Sequence, residues 1–228
     1  RLLDDFLVRS VRWVVMIVGI LMALAALEVS VGPLLAVVGA AGFVIAFALA
    51  VLAYHRRAVV GPITAVTGLL YTIPALAAFA VLRPIFGLEL PTAVIPLTTY
   101  TLLILYVNTV AGLRSVPPEV NEAADAMGYT RGTRLLRVQL PLAVPLIMAG
   151  VRVAAVTTIG LVTVAAIIGG NRFGGLGQFI TEGLQTNFDT KIYLGAVGSV
   201  ILAFAVDGLL VGIQRLLTPW TRARAEGR

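Results

Sequence analysis

Apolar residues dominate the chain in long runs that charged residues interrupt only at intervals. Six charge-free runs occupy residues 13–27, 29–54, 58–82, 90–113, 153–171 and 192–206, and the last continues past Asp207 to Gln214. A helix needs about 20 mostly apolar residues to cross a bilayer. The first and last runs reach that length only if a flanking charge lies at a helix end or inside the bundle. The pattern predicts an all-α polytopic membrane protein with about six transmembrane helices.

Composition supports this class and removes others. The 228 residues are 59% hydrophobic and only 12% charged, with a mean hydropathy of +1.00, whereas soluble domains carry about 25% charged residues. The absence of cysteine excludes disulfides, thiolate metal sites and a cysteine nucleophile. His55 is the single histidine, and paired carboxylates, HExxH and Gly-x-Ser-x-Gly are absent from the sequence. We therefore expect no catalytic residue and no metal site.

Basic residues predict the orientation of the chain. The sequence has 17 of them, and 13 fall on one side of the membrane if both termini are cytoplasmic, as the positive-inside rule requires. In a soluble protein this excess would indicate nucleic-acid binding, but here topology and contact with anionic membrane lipid explain it. We expect no nucleic-acid partner. The 13 are Arg1, Arg9, Arg12, Arg56, Arg57, Arg114, Arg131, Arg134, Arg137, Arg215, Arg222, Arg224 and Arg228.

The longest charged stretch, residues 114–141, lies between the fourth and fifth runs on the cytoplasmic side. Ser115 can cap a first short helix, Gly128 can end it in a left-handed turn, and Thr130 can cap a second helix with a basic face. A helix-turn-helix held outside the membrane is suited to docking into a groove of another protein. A solvated amphipathic loop explains the residues equally well.

Glu122-Ala123-Ala124, then Gly128, and then Leu140-Pro141 after Val138, follow the spacing of a known signature. The stretch resembles the EAA motif of permease subunits in bacterial ABC importers, with valine where isoleucine is usual. Over about residues 54–220 the chain resembles the branch that imports the osmoprotectants glycine betaine, choline, carnitine and proline betaine. Other motifs of this branch are Tyr71-Thr72-Ile73-Pro74-Ala75-Leu76, Asn108-Thr109 before Gly112-Leu113, and Gly174-Gly175-Leu176-Gly177. Tyr71 stands where the branch often has glutamine, so the particular osmolyte stays open.

The resemblance implies a multi-pass subunit of the bacterial cytoplasmic (inner) membrane, with a permease-type domain at residues 54–220 and a basic cytoplasmic tail at 221–228. It implies three kinds of protein partner: ABC ATPase subunits, a second permease subunit that is identical or different, and an extracytoplasmic substrate-binding protein. ATP-driven closure of the ATPases would rock the spans in alternating access. ATPase coupling would fall on Glu122, Ala123, Ala124, Gly128, Leu140 and Pro141.

The chain itself lacks the residues for ATP binding. A Walker-type phosphate loop needs a Gly-Lys pair, and the single lysine, Lys191, follows Thr190. We therefore expect that this chain binds no cofactor, and that ATP and Mg²⁺ belong to the partner subunit.

Two further groups of residues have alternative interpretations. Tyr71, Pro74, Asn108 and Thr109 are either contacts of a translocation pathway or packing residues, since broken helices line pathways but proline kinks also shape packing. A second group, three glycines near the outer end of the fifth predicted span, is expected to form a turn. This turn would be a gate, a docking site for the binding protein, or a simple re-entrant turn. The three glycines are Gly174, Gly175 and Gly177.

Charges within apolar runs mark functional sites by default. Two such residues are Arg152 and Asp207. The interpretation that we favour is that Arg152 snorkels to the cytoplasmic interface and that Asp207 pairs with a neighbouring helix.

Residues 1–53 form an N-terminal hairpin of different character. The segment from Phe6 to Ala50 resembles the last two membrane helices of small-conductance mechanosensitive channels, in which small residues allow close packing in a ring. Gly39, Gly42 and Ala46 have that spacing here. The resemblance implies a grafted hairpin, and it keeps open an alternative function as a mechanosensitive or passive ion channel. A purely structural membrane anchor is a third class.

Overall fold

The computed structural model describes residues 31–87, 90–169 and 175–220. Across these ranges the chain is helical apart from short connections, and no strand occurs in them, which confirms the all-α prediction. A 3-10 turn, Arg57–Val59, follows the first helix, and a π turn, Leu135–Gln139, joins the sixth helix to the seventh. The helices are α1 Val31–His55, α2 Val60–Thr72, α3 Ala75–Phe86, α4 Leu90–Arg114, α5 Pro118–Ala126, α6 Arg131–Arg134, α7 Leu140–Gly169, α8 Gly175–Thr186 and α9 Asp189–Leu217.

Several of these helices have the length and composition of membrane spans. Within the described residues there are three such stretches: α4, the continuous stretch Arg131–Ala166, and α9. The bent pair of α2 and α3 makes a fourth if it counts as one span. Helix α1 is also apolar and has 25 residues. The predicted span at 13–27 lies outside the described residues, so the count of six remains a prediction.

Helix α4 lies at the centre of the bundle, where it packs against α1, α2, α3 and α7. On α1, Ala46, Ala50 and Ala53 recur at steps of four and three residues, which places them on one face of a helix. All three are fully buried, in a cluster that includes Tyr106 and Val110 of α4. The small side chains allow α1 to approach α4 closely. Helix α1 crosses the boundary at residues 53 and 54 that the sequence predicts between two domains.

Two charge-free runs differ from the helices that form. The run 58–82 is broken at Ile73 and Pro74, where α2 and α3 meet at 87°. The run that the sequence begins at residue 153 belongs to a helix that begins at Leu140. In the sequence, the charge of Arg152 marks the start of the charge-free run. In the structure, Arg152 lies inside α7, where its charge is paired with a residue of another helix, as described below.

Candidate functional site

Helix α5 begins at Pro118, directly after α4 ends. Pro117 is its N-cap residue and Pro118 occupies its first turn, where the missing N–H of proline removes no helical hydrogen bond. The prediction that Ser115 caps this helix is wrong. The Ser115 hydroxyl donates instead to the carbonyl of Gly112, 2.8 Å away, at the end of α4. The two prolines cause this difference, because they set the start of α5 beyond the reach of the serine.

The end of α5 confirms the prediction for Gly128. Its φ is +78°, in the left-handed region that glycine adopts without a steric penalty. The N–H of Gly128 donates to the carbonyl of Asp125 at 2.9 Å, and the N–H of Tyr129 donates to Ala124 at 3.1 Å. This pair of bonds is the Schellman closure of a helix. A Cβ on Gly128 would meet no atom within 4 Å, so the backbone angle alone calls for glycine.

The EAA residues point in different directions. Ala124 is only 1% exposed and packs against the body of the protein. Glu122 and Ala123 are exposed, and Met127 nearby is 66% exposed. The helix is therefore anchored by one alanine while a carboxylate, a small residue and a flexible apolar side chain lie free on its surface.

The second half of the hairpin is not a separate helix. Thr130 caps α6 as predicted, because its Oγ1 accepts a hydrogen bond from the N–H of Thr133 at 3.3 Å. However, α6 continues through the π turn into α7, and the stretch Arg131–Ala166 is one long helix. The prediction of a second short helix is wrong in this respect. Arg134 forms an ion pair with Asp125, so the end of α5 is attached to the start of this long helix.

Gln139 connects three parts of the structure and was missed by the sequence analysis. It is only 1% exposed, and its amide nitrogen donates to Asn121 Oδ1 of α5 at 2.6 Å and to Tyr54 Oη of α1 at 3.0 Å. Its neighbour Leu140 packs with the buried cluster that contains Leu113. Gln139 occupies an unspecified position of the EAA motif. The available signal was a lone amide in a mostly apolar stretch, which must find partners once buried.

Leu140 and Pro141 begin the membrane helix rather than belonging to the exposed hairpin. Both are half-buried at the start of α7. Because the long helix already begins at Arg131, Pro141 lies inside it, and the π turn Leu135–Gln139 directly precedes this proline, which cannot donate a helical hydrogen bond. Of the six predicted coupling residues, Glu122, Ala123 and Gly128 are therefore exposed, and the others belong to the support beneath them.

The break between α2 and α3 is held by a tyrosine of α4. The hydroxyl of the buried Tyr100 donates to the carbonyl of Ile73, which points out of the helix because Ile73 is extended, as the residue before a proline usually is. The Tyr71 ring lies edge-on to the Tyr100 ring, with centroids 5.8 Å apart at 76°. Tyr71 is 41% exposed. The broken helix therefore presents an aromatic ring at its surface and keeps its freed carbonyl satisfied, and the predicted break is confirmed.

Asn108 lies within the contact between α4 and α7, and its neighbour Thr109 is buried. The side-chain amide of Asn108 donates to Ile104 of its own helix at 2.8 Å. A Cβ on Gly150 would lie 2.5 Å from Asn108 Cβ, so glycine allows the two helices to meet here. In this conformation both residues serve helix packing.

Arg152 of α7 and Asp207 of α9 form an ion pair with two hydrogen bonds. Arg152 Nε lies 2.7 Å from Asp207 Oδ1, and Arg152 Nη2 lies 2.8 Å from Oδ2. The two side chains are 34% and 29% exposed and line a groove of about 640 Å³ that also contains Thr157 and Phe204. The expected pairing of Asp207 is confirmed. The expectation that Arg152 snorkels to the interface is wrong.

The pair lies near the middle of both helices. Arg152 follows the start of α7 by 12 residues and Asp207 precedes the end of α9 by 10, which places them about 18 and 15 Å from those helix ends at 1.5 Å per residue. A bilayer core is about 30 Å thick. Both charges are thus near mid-membrane, where pairing is the usual condition for their presence.

The glycine turn is described in part. Gly174 lies outside the described residues, and Gly175 begins α8 with a φ of +76°. A Cβ on Gly177 would lie 2.6 Å from Ala166 Cβ and 2.8 Å from the Thr163 carbonyl oxygen. Glycine at 177 is therefore required for α8 to pack against the end of α7.

Comparison with known proteins identifies the fold and the family. A family model described as the inner membrane component of binding-protein-dependent transport systems matches residues 41–223. The chain belongs to this family. It is therefore a permease of the ABC type, located in the inner membrane, and the sequence-based resemblance is confirmed.

Characterised relatives of the permease match over most of its length. The carnitine transport permease protein OpuCD of Listeria monocytogenes is 37% identical over 77% of this chain and 78% of its own. The choline transport system permease protein OpuBD of Bacillus subtilis is 37% identical over 76% of each chain. The osmoprotectant import permease protein OsmW of Salmonella typhimurium is 35% identical over 77% of this chain and 83% of its own.

Solved structures support the same fold. The MetNI methionine ABC transporter in an inward-facing conformation matches with a TM-score of 0.70 and 25% identity, over 80% of this chain and 90% of that one. A second family model, for transmembrane helices 2 and 3 of mechanosensitive ion channels, matches residues 11–49. Residues 41–49 fall in both matches, and two of them, Gly42 and Ala46, lie on the face of α1 that packs against α4.

Proposed function

We propose that the permease imports quaternary-amine osmoprotectants such as choline, carnitine and glycine betaine, driven by a separate ATPase subunit. Its relatives named for carnitine and choline transport are 37% identical over about three quarters of the chain. The observation that carries the coupling part of the proposal is the exposure of Glu122 and Ala123 on a short helix anchored to the membrane helices.

Coupling to ATP hydrolysis would proceed through α5. Glu122, Ala123 and Met127 would contact a cleft of the ATPase, while Gly128 sets the turn that holds them out. A movement of α5 would reach α7 through the Asp125–Arg134 ion pair and the Gln139–Asn121 hydrogen bond. Because Gln139 also donates to Tyr54, α1 would receive the same movement. This arrangement suits alternating access, in which packed helices tilt as bodies.

The broken helix is the proposed contact of the translocation pathway. Tyr71 offers a partly exposed aromatic face at the break before Pro74, and such a face attracts a quaternary ammonium group. Asn108 would join the pathway only in a state in which α4 and α7 separate, because it lies within that helix contact here. The buried Thr109 would also need a rearrangement of the helices to become accessible.

The remaining partners follow from the family and from charge. Both termini would be cytoplasmic, in keeping with the positive-inside rule. Two permease subunits, identical or different, would form the path, and an extracytoplasmic binding protein would deliver the osmolyte near Gly174, Gly175 and Gly177. ATP and Mg²⁺ would be held by the ATPase subunit alone.

Uptake by proteoliposomes that contain the permease, its ATPase and its binding protein tests this proposal. We expect ATP-dependent accumulation of labelled choline or glycine betaine, and loss of that uptake in Glu122→Lys and Gly128→Asp with normal membrane insertion. Gly132→Asp is the matched control, because Gly132 is exposed, has open space at its Cβ and lacks a positive φ. Unchanged uptake in both test variants would contradict the docking assignment.

The match to mechanosensitive channels at residues 11–49 provides a second candidate function, a tension-gated or passive channel. Patch-clamp recording of the reconstituted permease separates the two. Tension-gated conductance without any ATPase, together with no ATP-dependent uptake, would reject the importer and favour the channel.

A further inference from the structure

Four arginines converge on a cavity at the end of the bundle that carries α5. The cavity has a volume of about 880 Å³, and its lining includes Arg57, Arg114, Arg131, Arg134, Tyr54 and His55. No described lining residue is a carboxylate. Among the described residues, Arg134 forms an ion pair with Asp125, and no ion pair of the other three arginines is seen. The cavity therefore has a strong excess of positive charge.

One guanidinium of the cavity is incompletely satisfied. Arg134 Nε is buried and has no hydrogen-bond partner in the structure. A buried donor without an acceptor is unfavourable, and four like charges around one cavity repel one another. An anion with several acceptor oxygens would relieve both costs at once. Guanidinium groups are well suited to such an anion because they bind phosphate with paired N–H donors.

The height of the cavity in the membrane indicates the source of the anion. Arg57 lies in the turn between α1 and α2, Arg114 is the last residue of α4, and Arg131 is the first residue of α6. Arg57 and Arg114 therefore stand where apolar helices end, at the level at which lipid headgroups are expected, and Arg131 and Arg134 complete the cavity beside them. None of the described lining residues belongs to α5, so the cavity is separate from the exposed residues assigned to ATPase docking.

We propose that this arginine cavity binds a phosphate group, supplied in the bilayer by the headgroup of an anionic phospholipid of the cytoplasmic leaflet. The phosphodiester oxygens accept from the guanidinium groups, and the acyl chains extend along the apolar outer surface of the helices. Basic pockets between membrane helices on the cytoplasmic side bind anionic headgroups in this manner. The bound headgroup links the ends of α1, α4 and α6, which are the helix ends next to the hairpin.

The test compares lipid binding by the full-length permease in detergent, measured by native mass spectrometry and by thermal stabilisation with phosphatidylglycerol or phosphatidylcholine. The test variant is Arg57→Gln with Arg114→Gln. The matched control is Arg56→Gln with Arg215→Gln, which removes the same charge from exposed arginines outside the cavity lining. Inorganic phosphate forms a separate arm, and thermal unfolding without added lipid reports whether each variant is folded.

We expect the unmodified permease and the control to prefer phosphatidylglycerol, and the test variant to lose that preference by on the order of tenfold, in line with the contribution of basic residues near anionic lipid. Equal preference in the test and control variants would overturn the proposal. Full competition by inorganic phosphate would overturn the lipid assignment. Transport is not measured, so the result does not depend on the proposed substrate.

Discussion

Arg152 and Asp207 join α7 to α9 through two parallel hydrogen bonds near the middle of the membrane. The pair is bidentate, which is a strong geometry for an arginine and a carboxylate. Neither residue is tolerated alone at this depth, because an unpaired charge in the bilayer core is costly. The pair therefore acts as one neutral unit that fixes the register of two membrane helices.

Removal of one partner of this ion pair should destabilise the permease more than removal of both. We expect Asp207→Leu and Arg152→Leu each to lower the thermal stability of the purified protein, because each leaves an uncompensated charge. The double variant should recover most of the loss. A double-mutant cycle from thermal unfolding in detergent measures this coupling. Additive losses would show that the two charges act independently.

Replacement of Gln139 should weaken the attachment of the hairpin. Gln139→Leu leaves both Asn121 Oδ1 and Tyr54 Oη without this donor, and we expect a loss of about 1–3 kcal/mol in the free energy of unfolding. Tyr54→Phe is the milder comparison, since it removes only one bond. The variant should also lower the stimulation of the ATPase by substrate-loaded binding protein, and full stimulation in Gln139→Leu would rule out its part in coupling.

Gly128→Ala should cost about 1 kcal/mol of stability, because alanine is strained in the left-handed region. Gly132→Ala provides the contrast at an exposed helical position with open space. There alanine should be neutral or stabilising, because it is the better helix former. Equilibrium unfolding of the two variants side by side measures the difference. Equal stability would mean that the turn does not keep its left-handed angle.

The two tyrosines at the broken helix should have separable roles. Tyr100→Phe removes the hydroxyl that donates to Ile73, and it should lower stability by about 1 kcal/mol with little change in the KM for osmolyte uptake. Tyr71→Leu should raise that KM by about tenfold if cation–π attraction contributes, whereas Tyr71→Phe should retain the low KM. An unchanged KM in Tyr71→Leu would remove Tyr71 from the pathway.

Acid should weaken the link between α8 and the start of α9. Lys191 donates to the Glu182 carboxylate at 3.0 Å, and this bond, followed by one from Gln178, holds the pKa of Glu182 below its usual value. A carboxyl group whose pKa is lower in the folded than in the unfolded state stabilises the folded state. This stabilisation is complete above the unfolded-state pKa and is lost as the pH falls through the folded-state pKa. The stability difference between the unmodified permease and Lys191→Gln should therefore be constant near neutral pH and shrink in acid. Thermal unfolding as a function of pH tests this, and a difference independent of pH would contradict it.

Features that depend on neighbouring residues were predictable from the sequence. Gly128 ends α5 and Thr130 begins α6. Both were predictable because the conformational preference of glycine and the capping preference of threonine act within three or four residues. Pro74 breaks its helix for an equally local reason. The EAA spacing identified α5 without any knowledge of its surroundings. The prediction that Ser115 caps α5 was wrong, because Pro117 and Pro118 are a stronger local signal for the start of this helix.

The sequence predicted that Asp207 has a partner on a neighbouring helix, but the identity of distant partners was not predictable. Arg152 was assigned to the interface because its partner lies 55 residues away in sequence, and the same cause hid the true start of α7. Gln139 finds Tyr54 at a separation of 85 residues, and its burial follows from the fold alone. The cavity lined by Arg57, Arg114 and Arg134 combines residues from three separate parts of the chain.

The continuity of helix from Arg131 to Ala166 gives the hairpin an unequal pair of arms. One arm is a helix of 36 residues, about 54 Å long at 1.5 Å per residue, which exceeds the thickness of a bilayer core of about 30 Å. The other arm is the short link of Ser115, Val116 and Pro117 between α4 and α5. The hairpin is therefore connected to the bundle by one long continuous helix and by one short non-helical link. Under the proposed coupling, a push on α5 would be transmitted along the whole length of the long helix, so that its two ends would move together.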